Sequence, residues 1–447
     1  MTSAPQSTRR NNLLSVGGQL ASQGFAVLSL LILLRLISRE AYGMWALYLT
    51  VLSMAEMARA GFVQNGLVTY LQSHPADRLR IVGSAYVLNL LLGLLLWGAM
   101  VLLAYPLSVW WSTPELPLLA AWYGVFMLTL GGLRFWEYVQ IAHQDFRGVL
   151  LGNLLYGAGQ CVGMAVWWGL GYRPALVEIV WLQAGTAALA TVAVWLYRRP
   201  LFRWGRPALG WMRTLAAYGR YVLGTNLGSM LLQRTDVIML GYYLGPAAVA
   251  PYTVALRLMN YLEIPLKGLA TAAFPRLARA WQDDGPAAAA RLHDQTTAHM
   301  LAMTLPACLV LALAAGPAVR ILAGPGYDDA VSLLRILLLF ALLKPWGRMF
   351  GTALDAIGQP QVNFRYILLG LLLNVVFNAL LIPLRGGIGA ALATVLAILL
   401  MAGINHWHLR RLMPVRLGQV LTRLGDVYRQ GSRRLLGAVA IPGLPHR

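Results

Sequence analysis

Residues 81–104 read IVGSAYVLNLLLGLLLWGAMVLLA, and this stretch decides the fold class. It is 24 residues long and holds no ionisable acid or base. A helix rises about 1.5 Å per residue, so one of this length spans the roughly 30 Å hydrocarbon core of a bilayer. Five more apolar stretches accompany it in the first half, at roughly 13–37, 43–71, 116–142, 148–170 and 175–197. Six follow in the second half, at roughly 215–244, 248–274, 297–322, 330–356, 366–384 and 387–409. Turn and charge clusters such as His74-Pro75-Ala76-Asp77, Gly171-Tyr172-Arg173-Pro174 and Gly324-Pro325-Gly326-Tyr327 separate them. The expectation is an all-α polytopic membrane protein with about twelve transmembrane helices.

Composition points the same way. Hydrophobic residues make up 58% and charged residues 12%, against about 25% charged in a soluble domain. A net charge of +20 would suggest nucleic acid for a soluble chain. Here most of it lies in loops and the tail, where it sets topology, and no nucleic-acid partner is expected. With the N-terminus in the cytoplasm, 22 of the 36 Lys and Arg residues fall in inside segments and 5 in outside loops. An even helix count then puts both termini inside. The first apolar run is too long for a signal-peptide core and no small-residue cleavage site follows, so it reads as an uncleaved helix.

Catalytic chemistry is not indicated. Cys161 and Cys308 lie in apolar segments without metal-ligand spacing and read as packing residues. The histidines, His74, His143, His293, His299, His406, His408 and His446, all fall in inside loops, the tail or inner helix ends, where solvation is expected. There is no Walker A loop, nucleophile elbow or HExxH motif. The chain therefore reads as a non-enzyme with no cofactor and no metal.

The two halves repeat. VGGQLAS at 16–22 aligns with LGTNLGS at 223–229 at a shift of 207, which also pairs Glu56 with Glu263. Farther on, Phe146-Arg147 pairs with Phe364-Arg365 at a shift of 218. Six spans per half make the repeats parallel, so the expectation is two six-helix bundles related by a pseudo-two-fold axis along the membrane normal. The divisions are a first bundle over 1–205, a second over 206–412 and a basic cytoplasmic tail over 413–447, whose Arg423, Arg429, Arg433 and Arg434 are placed to meet anionic headgroups. Such an architecture suits a substrate bound near the midplane and alternating access.

Along the chain run LISREAYG at 36–43, TDVIMLGYY at 235–243, YTVALRL at 252–258 and FPRL at 274–277. GYDDA at 326–330, AIGQP at 356–360, Asn374 with NALLIP at 378–383, and GAALAT at 389–394 come after them. In this order and spacing, over about 11–412, the chain resembles bacterial polysaccharide-biosynthesis flippases of the O-antigen and exopolysaccharide repeat-unit type. These belong to the multidrug/oligosaccharidyl-lipid/polysaccharide exporter superfamily. The resemblance implies a flippase of the bacterial cytoplasmic (inner) membrane that translocates a polyprenyl-pyrophosphate-linked glycan. Membrane lipids and other polysaccharide-assembly proteins would be its further partners. A multidrug exporter of the superfamily, a peptidoglycan-precursor flippase and, from another class, a membrane glycosyl-polymerase or ligase are the alternatives.

The site candidates are the ionisable groups at bilayer depth, each costing at least about 2.5–3.5 kcal/mol to insert. Arg59, Arg134, Arg234, Arg257, Lys267, Arg335, Lys344 and Arg348 stand against Glu56, Glu137, Asp236 and Glu263, eight cations to four acids. A cationic interior fits an anionic, lipid-linked substrate and disfavours cationic drugs. Arginine suits pyrophosphate because its planar fork donates two hydrogen bonds to phosphate oxygens. The expected substrate ligands are Arg59, Arg234, Arg257, Lys344 and Arg348. Glu56, Arg134, Asp236, Asn260, Glu263 and Lys267 are secondary candidates. Arg257, Asn260, Glu263 and Lys267 form one polar helical stripe interrupted by Pro265, which frees a carbonyl and bends the helix. Asn11, Asn12 and Gln19 add candidate polar lining at the start of the first helix. Glu56 with Arg59, and Arg134 with Glu137, can alternatively neutralise each other three residues apart.

Overall fold

The computed structural model describes residues 4–439, with side chains described outside 4–16, 19–20, 221–229 and 431–439. Asn11, Asn12, Gln19, Arg433 and Arg434 therefore lie outside the described side chains, and 440–447 outside the described residues. The helices are α1 (Ala4–Leu36), α2 (Arg39–Ser73), α3 (Arg78–Trp111), α4 (Leu116–Ala142), α5 (Phe146–Gly169), α6 (Leu176–Tyr197) and α7 (Leu209–Leu244). After them come α8 (Pro246–Tyr261), α9 (Glu263–Asp283), α10 (Pro286–Leu313), α11 (Ala315–Ala323), α12 (Asp329–Ala356), α13 (Pro360–Leu412) and α14 (Leu417–Val439). No strand occurs among the described residues. In hydrocarbon each backbone N–H and C=O must find its partner within the segment, which leaves the helix as the only open-ended solution.

Eight helices among the described residues are long and apolar enough to cross a membrane. One of these, α13, is 53 residues long, or about 80 Å if straight, which is more than two bilayer cores. It is not straight. Gly386 has φ 59° and ψ −136°, a region open essentially to glycine alone. A Cβ placed on Gly389 would collide with the Leu381 carbonyl, so the chain folds back on itself and α13 is two antiparallel spans. The expected twelve are completed by α1, with its apolar Ala21–Leu36, by α7 and by α8–α9. The described apolar part of α1 and the whole of α8 are each 16 residues long. The protein is an all-α polytopic membrane protein.

Local sequence fixes the joints. Ser38 is extended and its hydroxyl accepts from Ala41 N–H at 3.2 Å, capping α2. Gly245 at φ 72° ends α7, and Pro246 starts α8, the first-turn position where a missing N–H is harmless. The span expected at 248–274 is broken at Leu262. Pro265 cannot donate to the carbonyl four residues back, that of Tyr261, where α8 stops. The span expected at 297–322 is likewise divided into α10 and α11 at Ala314.

The chain forms two compact units. The first runs to Ala250 and adds Ile321–Gly326; the second holds Pro251–Arg320 and Tyr327 onward. The 321–326 segment belongs to the first because Arg35 and Arg39 hold it, donating to the Ile321 carbonyl at 2.8 Å and the Gly326 carbonyl at 3.1 Å. This division and the bundle boundary expected at 205/206 differ mainly by α7, which packs on α2 and α3. Trp111 Nε1 donates to the Ile238 carbonyl at 3.2 Å across that contact. Phe135, Trp136, Val139, Leu67 and Ile81 centre the first unit's core. In the second, Leu266, Met300, Met349, Phe350 and Leu354 do so. Leu102 and Leu384 remain 79% and 78% exposed, as lipid-facing side chains are.

The segment after 413 is not a simple solvated tail. It forms α14, which packs on α10 through Val420 against Ala298 and Leu301. Arg423 donates to the Arg291 carbonyl at 2.6 Å, and Tyr428 to the Ala302 carbonyl at 3.0 Å. Arg423 is thus engaged with α10 backbone. His293, expected at a solvated surface, is only 5% exposed and touches Asp294 Oδ1 at 3.0 Å. The other Asp294 oxygen accepts the Arg416 N–H at 3.2 Å. The sequence signal missed there is the acid beside the histidine on the packed face of α10.

Candidate functional site

The deep charges of the first unit are paired locally. Glu56 and Arg59 lie one turn apart on α2, and Arg59 is wholly buried. Its Nε reaches Glu56 Oε2 at 3.1 Å and its Nη2 pairs with the same oxygen. Nη1 donates to Asn89 Oδ1 on α3 at 2.5 Å and lies 3.5 Å from the Gly131 carbonyl on α4. The other Glu56 oxygen accepts the Tyr123 hydroxyl at 3.0 Å. One acid–base pair thereby joins α2, α3 and α4. Arg134 and Glu137 repeat the pattern on α4 at 2.5 Å, with Asn153 of α5 accepting from Arg134 at 2.9 Å.

Asn89 and Tyr123 were not among the sequence candidates. Asn89 could have been found as the one carboxamide in the 81–104 stretch, since a lone amide in hydrocarbon needs a partner. Tyr123 sits in a helix rich in aromatics and gives no such signal.

On α7, Arg234 is half-buried and Asp236 buried; two residues apart, they project to different sides of the helix. At the end of α8, Arg257 and Asn260 are exposed. Arg335 on α12 is exposed as well and lies 3.4 Å from the Ala312 carbonyl.

The second unit gathers charge differently. Glu263 is the first residue of α9, immediately beyond the break at Leu262. One of its oxygens pairs with Lys344 Nζ, and the other lies 3.5 Å from Arg348 Nη2. Lys344 and Arg348 are four apart on α12 and share a face. Lys344 Nζ also sits 4.4 Å over the Phe340 ring, a favourable seat for an ammonium. Two cations of α12 thus share one acid of α9, while Lys267, one turn along α9, is exposed. The Glu263 and Lys344 side chains are 15% and 16% exposed and that of Arg348 32%, so the cluster is sheltered and opens beside the arginine.

Of the expected ligands, the structure brings Lys344 and Arg348 together with the secondary candidate Glu263; the secondary candidate Lys267 is exposed. Arg59 with Glu56, and Arg134 with Glu137, lie in separate helix contacts of the first unit. The repeat-related acids have diverged: Glu56 serves one arginine of its own helix, and Glu263 serves two cations of another. An ammonium and a guanidinium one helical turn apart can grip an oxyanion from two sides, the lysine as a point charge and the arginine as a fork. Among the described residues no group of histidines, cysteines and acids could hold a metal ion.

Comparison with known proteins gives a consistent result. A family model described as polysaccharide biosynthesis protein matches residues 32–332. An uncharacterized membrane protein of Methanocaldococcus jannaschii is 30% identical over 203 residues, 45% of this chain and 40% of that protein. The probable flippase AglR of Haloferax volcanii is 27% identical over 42% of this chain and 40% of its own length. The match to the amylovoran biosynthesis protein AmsL of Erwinia amylovora, at 25% identity, spans 62% and 72%. The chain thus spans about two fifths of the first two relatives. Two solved structures share the fold at a TM-score of 0.69. An inward-facing multidrug-resistance MATE transporter of the MOP superfamily is 16% identical over 87% of this chain and 95% of its own. The lipid II flippase MurJ in an inward closed conformation is 13% identical over 97% and 94%.

Proposed function

Since the chain belongs to the polysaccharide biosynthesis protein family, we propose that it is a flippase carrying a polyprenyl-pyrophosphate-linked oligosaccharide across the bacterial cytoplasmic membrane. The observation that carries this reading is the Glu263–Lys344–Arg348 cluster. A diphosphate diester bears one negative charge on each phosphorus, which suits an ammonium and a guanidinium one helical turn apart. Lys344 and Arg348 hold the phosphates, while Arg234 and Arg257 serve as further cationic contacts during passage. Arg59 acts through the packing of α2, α3 and α4. A site for cationic drugs would need the opposite sign.

In this reading the site is exposed alternately to the two leaflets. Both termini lie in the cytoplasm, where assembly proteins load the glycan, and others receive it outside. The outward step moves anionic charge in the direction that the membrane potential favours, by about 2.3 kcal/mol per charge per 100 mV.

The test is reconstitution into vesicles with a fluorescent polyprenyl-diphosphate-linked sugar, scoring its loss from one leaflet. Arg348→Ala is expected to abolish flipping while the protein still inserts. Arg348→Lys keeps the charge, loses the fork and should retain partial activity. Full activity of Arg348→Ala and Lys344→Ala alike would remove the cluster from the mechanism. The same assay with a lipid-linked peptidoglycan precursor decides between the two kinds of glycan.

A further inference from the structure

We propose that Glu263 is an exchangeable counter-anion: it occupies the seat between Lys344 and Arg348 that a phosphate oxygen of the headgroup takes, and it vacates that seat when the headgroup arrives. This rests on the headgroup reading above and deepens it.

Two observations carry the inference. First, a carboxylate and a phosphate are both acceptor-only groups with paired oxygens. Glu263 uses its two oxygens as a phosphate would, one on Lys344 Nζ and one toward Arg348 Nη2 at 3.5 Å. The arginine contact is the long one, and it lies on the more open side, where an incoming anion meets it first.

Second, Glu263 stands at a joint. The helix is already interrupted at Leu262, and Glu263 opens α9. Pro265 removes the helical hydrogen bond to the Tyr261 carbonyl, so the turn that carries Glu263 is held by fewer backbone bonds than an uninterrupted one. The contrast with Glu56 is instructive. That acid sits mid-helix, is held by the wholly buried Arg59 and by Tyr123, and has no comparable freedom.

The experiment uses the full chain in nanodiscs of uncharged lipid, titrated calorimetrically with inorganic pyrophosphate at fixed salt. Wild type should bind and Arg348→Ala should not. Glu263→Gln removes the competitor and should bind about tenfold tighter or more, as expected for a close charge pair. Glu263→Asp keeps the competing charge and should stay near the wild-type affinity. Difference infrared spectra of wild type provide a second readout, since pyrophosphate should shift the Glu263 carboxylate stretch, assigned by its change in Glu263→Asp. This readout holds even where Glu263→Gln fails to fold. Binding that needs Arg348, with no gain in folded Glu263→Gln or no carboxylate shift, overturns the exchange and leaves the headgroup site standing. No pyrophosphate binding by wild type overturns both.

Discussion

At the scale of single residues, the same pair of chemistries, acid and guanidinium, is put to two uses. Arg59 is buried and joined to Glu56, Asn89 and the Gly131 carbonyl. Removing one partner of such a pair strands the other charge, which costs on the order of 3 kcal/mol. We therefore expect Arg59→Gln and Glu56→Gln each to lower the melting temperature in detergent clearly, and the double variant to lose less than the sum. A double variant losing the full sum would mean that the two side chains act independently. The sequence spacing showed that Glu56 and Arg59 share a face. It could not show that Asn89 and Tyr123 complete the network, because those partners come from helices 30 and more residues away. Glu263 was legible as part of a polar stripe on its own helix. Its pairing with Lys344 and Arg348 depends on how α9 meets α12, which no local pattern records.

At the scale of elements, the apolar stretches were readable almost throughout, because hydrocarbon leaves the backbone no alternative to helix. Their interruptions were less so. Pro265 marked a bend, and the structure places a one-residue interruption at Leu262, whose backbone stays in the α region. The fold-back at Gly386 needs positive φ, so Gly386→Ala is expected to destabilise the protein by about 1–3 kcal/mol. Thermal unfolding in detergent checks this, and an unchanged melting temperature would contradict the turn. The basic composition of the tail gave no sign of its docking on α10, because burying Val420 there needs only one apolar face. Deleting 425–447 leaves Val420 and Arg423 in place, so most transport should survive. Deleting 417–447 uncovers Ala298 and Leu301 and should lower the melting temperature, by roughly 2–4 °C per kcal/mol lost. Equal melting temperatures for the two truncations would show that the docked turn contributes nothing.

At the scale of the whole molecule, loops sort to two ends within the first compact unit. In the first, Arg35 and Arg39 meet 321–326 at one end, while Tyr70 and His74 pack on Trp211 at the other. The excess of arginine in the loops of the second end is the basis for expecting that end in the cytoplasm. After replacement of Cys161 and Cys308, single cysteines in 105–115 and 323–329 should label from the periplasm; labelling of both only from the cytoplasm would reverse the orientation. Charge bias gives this much because it acts on the chain as a whole, whereas the partners of each deep charge are set contact by contact. The fold-back in α13 bears finally on how the protein is made. Between residues 366 and 409 the one Asp, Glu, Lys or Arg is Arg385, beside the turn. The nascent chain therefore offers the translocation machinery a ready hairpin with no loop to thread. Whichever side the turn reaches, a single guanidinium crosses with it, and the membrane potential's share of that work is about 2.3 kcal/mol per 100 mV. The two arms are thus expected to insert as one unit.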